Sequence, residues 1–394
     1  MSAKTDIFVH ITSKCPICLR ELTNRYIKSK MFTAVEVEDD HFVRKYRCEL
    51  PAFNNLRPEY YHLWMCPYCY FSDEKEVFRG EDDCGGKVEI LEEKLLIETR
   101  RPDSVVKRLG PLSDLQAEFV SWSSALAAHL AAIYIQEILS PNMRQSGKLA
   151  RLYLRTAWLY RERDHPEVYE SHVIPDPELV EALEDVKKTW SEGPFDETTA
   201  MNAALQYYKI ELENAGRTDN IRQEISIMFL LVSLYLRLGE KRTAMDYVRM
   251  IFRQCTQRRG SCRKALEGAA RRDDVSSKQI EQLKTLYQWL NNTIDRTVAL
   301  SEKLADLIFC DEYPRAREIV LAMGSPTPEE ILERLRAEGC YEGTCRRVAS
   351  IYKKKLLEHQ IDTLAEAESD TGRAEEPGGL MSKIKGMMGK DKKE

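Results

Sequence analysis

The spacing of the hydrophobic positions changes character near residue 100. Before that point, Phe32 to Glu38 alternates between apolar and polar side chains, and Tyr60 to Met65 is aromatic and β-prone. Both segments predict strands, and Val88 to Leu96 predicts a further strand or a short helix. The first part of the chain, residues 1–105, therefore predicts a small, mostly β head.

After residue 110 the apolar positions recur with a helical period. The first apolar stripe runs from Leu115 to Ile133, and Ser113 with Gln116 forms a capping box before it. Further helices are predicted over residues 146–163, 177–190, 197–215, 220–238, 241–256, 277–309, 313–322, 328–338 and 345–365.

Glycine residues supply several of the predicted helix ends, among them Gly239 and Gly260. The pattern predicts a helical body over residues 110–365. The remaining segment, residues 366–394, is polar, contains glycine and becomes Lys-rich, so it predicts a disordered tail.

Two parts of the body have a spacing close to that of a tetratricopeptide repeat. An earlier unit is split, with Ala150 to Tyr160 as its first helix and Thr199 to Leu212 as its second. Such helix pairs stack on their neighbours and leave a concave surface suited to a peptide or a helix, while a plain helical bundle is the alternative. The later unit is carried by Leu231, Tyr235, Gly239, Ala244, Tyr247, Val248 and Ile251.

Composition and charge describe an ordinary globular chain of 394 residues with a net charge of −5. The longest apolar stretch, Val120 to Leu139, is interrupted by polar residues, so no transmembrane segment is predicted. The N-terminus lacks the apolar core of a signal peptide. Eleven cysteines, an odd count that includes CxxC pairs, favour a reducing, cytoplasmic compartment.

The most specific chemistry lies in two Cys-Pro-x-Cys pairs, Cys15 with Cys18 and Cys66 with Cys69. Each pair places two thiolates on one side of a tight turn, and two facing turns complete a tetrahedron of soft ligands. Thiolates favour zinc, with iron in a rubredoxin-like site as the alternative. Because a catalytic zinc keeps a position open for water, four cysteines predict one structural Zn²⁺. The predicted fold class is mainly α, with a β-containing four-cysteine zinc-knuckle head before a tetratricopeptide-like helical body.

The residues that follow each pair depart from the usual knuckle pattern. Zinc knuckles commonly carry glycine there, where φ is often positive, but this chain has Leu19 and Tyr70. We therefore expect one or both turns to relax differently. Spare donors that could replace a knuckle cysteine or bind a second ion, or that simply belong to the core or surface, are His41, Cys48, His62 and Cys84.

Two other functions compete with a structural metal site. A dithiol oxidoreductase could use Cys66 and Cys69, but the long helical region does not suit a thioredoxin-like fold. Nucleic-acid binding through the basic stretch over residues 249–272 is the other alternative, but nucleic acid is not the expected partner, because residues 1–100 carry 15 Lys plus Arg against 18 Asp plus Glu. The basic stretch over residues 249–272 could bind phosphate or an acidic protein, or be a solvated helix face.

No catalytic motif is recognised, so the sequence predicts a protein that is not an enzyme. Apolar residues from Ile280 to Ile308 form a seam that suits a long helix, either paired with another subunit or packed inside the body. The expected partner is a protein or peptide on the helical body.

Several segments together resemble a known family. They are Cys15 to Cys18, Asp40 to Phe42, Pro58 to Cys69 and the helix Leu149 to Arg161. They resemble an uncharacterised bacterial family, domain-of-unknown-function family 2225, over roughly residues 10–250. That family has Cys-Gly-Tyr where this chain has Cys69-Tyr70-Phe71. The resemblance implies a bacterial zinc-knuckle protein with repeat-like helices and no assigned reaction.

Overall fold

The computed structural model describes residues 7–370, apart from 83–85, 170–172, 217–219 and 270–275. The chain divides into two compact units, Met1–Thr297 and Val298–Glu394. The predicted domain boundaries at residues 105 and 110 stay predictions. Within the described part of the chain, no helix is sufficiently long and apolar to cross a membrane.

The strands of the head form three antiparallel pairs within the described residues, each joining strands that are neighbours in sequence. The predicted strand over 32–38 is confirmed as β3, whereas Pro58–Tyr61 forms a 3₁₀ turn, and only the end of the aromatic segment is a strand. The pairs are β1 Phe8–Lys14 with β2 Glu21–Ile27, β3 Phe32–Val37 with β4 Val43–Cys48, and β5 Leu63–Met65 with β6 Ser72–Glu74.

Helices make up most of the described residues, which confirms the mainly α class with a small β-containing head. The segment at residue 88 is a helix, the second of the two possibilities that its pattern allowed. The helices are α1 Lys75–Phe78, α2 Val88–Arg100, α3 Val105–Leu109, α4 Trp122–Glu137, α5 Ser146–Asp164, α6 Pro166–Tyr169, α7 Pro177–Thr189, α8 Glu197–Ala215, α9 Ile221–Arg237, α10 Lys241–Ala269, α11 Ser277–Ala322, α12 Pro328–Ala337 and α13 Glu342–Asp370.

The capping box predicted at Ser113 and Gln116 is wrong. Ser113 Oγ donates to the Leu109 carbonyl at 3.0 Å, and the Gln116 amide donates to the Asp114 carboxylate at 3.1 Å. These local hydrogen bonds compete with a helix start. The helix α4 begins instead at Trp122, where Ser121 Oγ accepts from the Ser124 amide at 3.1 Å.

Two predicted helix ends do not occur. The helix α10 continues through Gly260 to Ala269, because Cys255 and Cys262 extend its buried face across the glycine. The helix α11 is continuous over Ser277–Ala322 and contains Pro314, although separate helices were predicted over residues 277–309 and 313–322. In both places packing outweighs the cost of roughly 1 to 3 kcal/mol that glycine or proline adds inside a helix.

The helix α4 lies at the centre of the first unit and is buried on nearly all sides. It packs against α3, α5, β5 and β6. Ile135 of α4 and Leu139, two residues after its end, share a hydrophobic cluster with Cys15 and Trp64 of the head. One core therefore supports both the cysteine pairs and the first helices of the body.

The body continues as a series of packed helices, α5 on α8, α8 on α9 and α9 on α10. Fully buried alanines, among them Ala150 of α5 and Ala204 of α8, allow close approach of these helices. The helices between them, α6 and α7, form an insertion, and α7 packs against α3.

The second unit has a hydrophobic core of its own, built from the end of α11 with α12 and α13. Thr327 and Glu330 form a capping box at the start of α12. The helix α13 is described to Asp370, and the rest of the predicted tail, residues 371–394, lies outside the described residues.

Candidate metal centre

The two Cys-Pro-x-Cys turns bring all four cysteines together, although 47 residues separate Cys18 from Cys66. The Sγ atoms of Cys15 and Cys69 lie 3.6 Å apart, and those of Cys18 and Cys66 lie 3.5 Å apart. All four sulfur atoms lie within 4.8 Å of one another. The turns face each other, and each short contact joins one turn to the other.

These separations suit a metal ion and not a disulfide. A tetrahedron with metal–sulfur bonds of about 2.3 Å has edges of about 3.8 Å, whereas a disulfide needs a sulfur–sulfur distance of about 2.05 Å. All four residues are free cysteines, with Cys15 and Cys66 buried and the other two half-buried. The donors and their spacing fit a single ion held by four thiolates.

Backbone hydrogen bonds shape both turns in the same way. The amide of Cys15 donates to Arg20 O at 2.9 Å, and the amide of Cys66 donates to Phe71 O, also at 2.9 Å. The amide of the residue after each second cysteine then donates to the carbonyl of the first cysteine, at 3.0 Å for Leu19 and 2.9 Å for Tyr70.

The expectation that a turn would relax for lack of glycine is wrong. Leu19 has φ of 58° and Tyr70 has φ of 60°, so both take the left-handed conformation that glycine would adopt. This conformation costs a non-glycine residue about 1 to 2 kcal/mol. The hydrogen bonds of the turn and the requirement that four thiols converge hold the backbone there.

Mutual interaction of the thiols separates their pKa values. Hydrogen bonds with Cys15 and Cys69 lower the pKa of Cys66, while hydrogen bonds with Cys15 and Cys66 raise the pKa of Cys69. The pKa of Cys15 is raised, first by its hydrogen bond with Cys66. Four thiolates this close can all be charged only when a cation lies between them, because each negative charge opposes the next.

The three spare donors that the structure describes do not join this cluster. His41 is exposed in the turn between β3 and β4, with φ of 69°. Cys48 is buried, and its Sγ accepts from the Leu50 amide at 3.4 Å. His62 is outside the four-cysteine group, and Cys84 lies outside the described residues.

The strand β6 connects the second cysteine turn to the helical body. It starts directly after Phe71, which is fully buried, and Ser72 Oγ donates to Ala128 O of α4 at 3.0 Å. Asp73 then pairs with Lys148 of α5 at 3.1 Å. Both members of this ion pair are buried, and burial raises the pKa of Asp73 to about 6.

The next residue of β6, Glu74, accepts from Arg151 at 2.7 Å and from Arg155 at 3.0 Å. Burial alone would raise the pKa of Glu74, but the two arginines lower it to about 2. Sequence patterns did not reveal these contacts, because carboxylates and arginines of this kind are common on surfaces.

A second set of buried charges holds the tip of the β3–β4 hairpin on the body. Arg161 of α5 is fully buried and donates to Glu38 at 2.7 Å, Asp40 at 2.8 Å and Glu197 at 2.7 Å. Its guanidinium carbon also lies 5.5 Å from the centre of the Phe42 ring. In the sequence, Asp40, Phe42 and Arg161 carry a part of the family resemblance, and no local pattern predicts that they meet.

Tyr70 needs space that only glycine provides at position 110. A Cβ atom at Gly110 would lie 2.2 Å from Tyr70 Cγ. We expect Gly110→Ala to lower the free energy of unfolding of the first unit by about 2 to 3 kcal/mol, because the knuckle fixes the Tyr70 backbone and overpacking cannot relax. Gly260→Ala is the control, since nothing lies within 4 Å of its added Cβ, and it should stabilise by about 0.5 to 1 kcal/mol. Urea unfolding measures the stability of both variants. Equal changes in their free energies of unfolding would contradict the clash between an added Cβ at position 110 and Tyr70.

Acid sensitivity is expected from His129, which is 1% exposed on α4 and donates from Nδ1 to Ala125 O at 2.7 Å. Its Nε2 has no hydrogen-bond partner among the described atoms. Burial lowers the pKa of His129 to about 4, against about 6.5 in the unfolded chain. The unfolded state therefore binds the extra proton, and stability present above pH 6.5 is lost as the pH falls toward 4, by about 3 kcal/mol.

Unfolding of wild type and His129→Gln between pH 7.5 and 4.5 checks this prediction. Tryptophan fluorescence suits the measurement, because all five tryptophans lie in the first unit. The variant should lose less stability on acidification than the wild type. The comparison is needed because burial raises the pKa of Glu59 to about 7, which changes stability in the opposite direction over the same range. If both proteins lost the same stability between pH 7.5 and 4.5, His129 would not contribute to the acid sensitivity.

The fold and this site define a class: proteins with a four-cysteine head, able to hold a metal ion, on a helical body. A family model described as an uncharacterized protein conserved in bacteria (DUF2225) matches residues 8–275. The chain belongs to this family, which confirms the resemblance inferred from the sequence. The match includes all four cysteines. No curated protein and no solved structure matches the chain.

Proposed function

We propose that this chain is a zinc-stabilised cytoplasmic scaffold for protein–protein interaction, in which Cys15, Cys18, Cys66 and Cys69 hold one structural Zn²⁺. The observation that carries the zinc assignment is the set of four sulfur atoms within 4.8 Å, with no other ligand type among them. Zinc accepts a closed, tetrahedral set of thiolates, and such a set leaves no position for a reacting water. The proposed role is therefore binding, without a catalytic reaction.

Two measurements test the proposed zinc site: the identity of the bound metal and the reactivity of the cysteine thiols. Anaerobically purified protein should contain about one zinc per chain, with four thiols shielded until a chelator is added. Iron would favour a rubredoxin-like centre instead. A chain without metal, with reactive thiols at Cys66 and Cys69 and a reductase activity lost in Cys66→Ser, would favour the dithiol oxidoreductase.

The interaction role rests on the repeated geometry of the helix pairs. In the pair α5 and α8, the rings of Tyr153 and Tyr207 stack with centroids 5.6 Å apart. In the pair α9 and α10, the rings of Tyr235 and Tyr247 stack at 5.5 Å. This correspondence supports a tetratricopeptide-like arrangement, and such stacks bind extended or helical peptides on a concave surface.

Further support comes from the turn between α9 and α10. Gly239 has φ of 80°, as a tight helix–helix turn requires, and Ala244 at the start of α10 is fully buried. Ala200 of α8 is also fully buried. Small residues at these contacts let the helices of each pair pack closely.

A groove between the β3–β4 hairpin and α9 is the proposed place for a peptide. It has a volume of about 590 Å³. Glu36 and Asp39 lie on the hairpin side, while Ser233 and Leu236 line the side of α9. We propose that a peptide segment lies in this groove along the end of α9.

Affinity capture with crosslinking tests the scaffold. The wild-type chain should return a reproducible protein partner, and Ser233→Trp, which fills the groove, should lose it. Ser261→Trp is the matched control, because Ser261 is exposed on α10 away from the groove. Equal capture by both variants would exclude the groove, and no reproducible partner with the wild type would exclude the scaffold.

A further inference from the structure

The outward face of α10 concentrates positive charge. Over Lys241–Ala269 the sequence has eight Lys and Arg residues against only Asp246 and Glu267, although the whole chain has a net charge of −5. Solvated helices usually carry both signs in similar amounts. The excess positive charge on α10 is therefore either balanced by an anionic partner or destabilises the helix through repulsion between its cations.

The structure places much of this charge along one line. At 100° per residue, Arg242, Arg249, Arg253 and Lys264 fall within a sector of about 60°. All four are exposed. Most of the buried residues of α10 lie on the opposite side, where the helix packs against α9. Those opposite the sector are Ala244, Val248, Ile251, Cys255, Cys262 and Ala269, while Met245 is buried at its edge.

We call Arg242, Arg249, Arg253 and Lys264 the basic stripe of α10. The two acidic residues of this helix do not neutralise its charge. Asp246 accepts from Arg249 at 3.2 Å and Glu267 lies 3.7 Å from Arg263. Both pairs are exposed, with the side chains of Arg249 and Arg263 51% and 67% accessible. Exposed pairs of this kind contribute about 0 to 1 kcal/mol, so an anionic partner can displace them. Arg271 and Arg272, also part of the predicted basic stretch, lie outside the described residues.

We propose that the outward face of α10 binds single-stranded nucleic acid through its phosphates. The stripe from Arg242 to Lys264 extends about 33 Å along the helix, enough to meet several phosphates. Six of the eight cations on α10 are arginines, whose planar guanidinium matches the geometry of phosphate oxygens. Phe252 is 43% exposed and lies about 60° around the helix from Arg249, so it provides a ring at the edge of these cations on which a base can stack.

This surface is separate from the groove used in the proposed function. The groove is formed by the β3–β4 hairpin and the end of α9, whereas the stripe points away from α9. Failure of one proposal therefore leaves the other unaffected.

The test is fluorescence anisotropy of a labelled 20-nucleotide oligouridylate with the full, metal-loaded chain between 50 and 200 mM KCl. Contact with four or five phosphates predicts a slope of about −3 for the logarithm of affinity against the logarithm of salt, or about 60-fold weaker binding across this range. The triple variant R242Q/R249Q/R253Q should reduce the slope to about −1 and weaken binding at 50 mM KCl at least about tenfold.

The matched control is K187Q/K188Q/R346Q, which removes three exposed cations from α7 and α13 and should bind as the wild type does. Circular dichroism and thermal unfolding verify that both triple variants fold. Absence of binding at 50 mM KCl, or equal binding by the two triple variants, would overturn the proposal.

The remaining alternative is an acidic polypeptide recognised by charge alone. Phe252→Ala should weaken oligonucleotide binding at least about fivefold without changing the salt slope, because stacking is not ionic. Oligoglutamate at the same concentration of charge should compete poorly. Unchanged affinity in Phe252→Ala together with equal competition by oligoglutamate would replace nucleic acid with an acidic protein.

Discussion

Cys66→Ser is expected to abolish metal binding and unfold the head. Structural zinc contributes about 10 to 16 kcal/mol in small zinc-binding peptides, which is as large as the whole net stability of a typical domain, about 5 to 15 kcal/mol. Cys66 is fully buried and has its Sγ 3.5 Å from that of Cys18. A serine in its place leaves three thiolates without a complete site.

The loss of folded structure in Cys66→Ser should extend beyond the cysteine turns. Trp64 is 1% exposed in the same core cluster as Cys15 and Cys66, so its fluorescence should shift toward that of solvent-exposed tryptophan. The strand β6 should also release Lys148, since Asp73 follows the second turn directly. The second unit has its own core and should keep its helices.

Metal content, tryptophan fluorescence and far-ultraviolet circular dichroism measure these effects. Cys48→Ser is the matched control, because Cys48 is a buried cysteine of the head that lies outside the four-cysteine group. It should retain the metal and lose little stability. A Cys66→Ser chain that kept one metal ion and wild-type fluorescence would contradict the structural role.

Arg161→Leu is expected to lower the free energy of unfolding of the first unit by about 3 to 5 kcal/mol. Removing one partner of a buried ion pair costs this much, because the remaining charge stays buried without compensation. Here three carboxylates, Glu38, Asp40 and Glu197, would lose the guanidinium that holds them together. The hairpin tip should then detach from α5.

Arg237→Leu is the matched control for this prediction. Arg237 approaches the same Glu38 at 3.7 Å and Glu197 at 3.4 Å, but its side chain is 37% exposed, so its loss should cost no more than about 1 kcal/mol. Urea unfolding followed by tryptophan fluorescence separates the two variants, since Trp158 donates to Asp40 within the cluster. Neutralising Glu38, Asp40 and Glu197 in the Arg161→Leu background should restore part of the lost stability. If both leucine variants lowered the free energy of unfolding by the same amount, water would screen the charges around Arg161.

Helix bounds were predictable wherever local signals agreed. The helices α5, α7, α8 and α9 begin and end within two residues of their predicted limits. Asp196 caps α8 through the Thr199 amide at 2.7 Å, and Asp176 with Pro177 starts α7. Capping, proline at the first helical position and apolar periodicity act over a few residues, so one sequence is enough to read them.

Predictions failed where packing opposed a local preference. Gly260 and Pro314 are poor helix residues, yet each lies inside a long helix. Leu19 and Tyr70 take a glycine-like backbone because the cysteine turns require it. Costs of about 1 to 3 kcal/mol for one such residue are smaller than the free energy from the contacts of a whole buried helix face or a closed site.

Residue types and short spacings were enough to predict the mainly α class, the four cysteines that form the candidate site and most of the helices. Tertiary structure alone decided which distant groups meet. Arg161 contacts Glu38 and Asp40 across more than a hundred residues, and β6 reaches Lys148 across 75. It also decided that the cations of α10 face away from the core. Such contacts depend on how elements pack in three dimensions, and no local pattern in the chain records that arrangement.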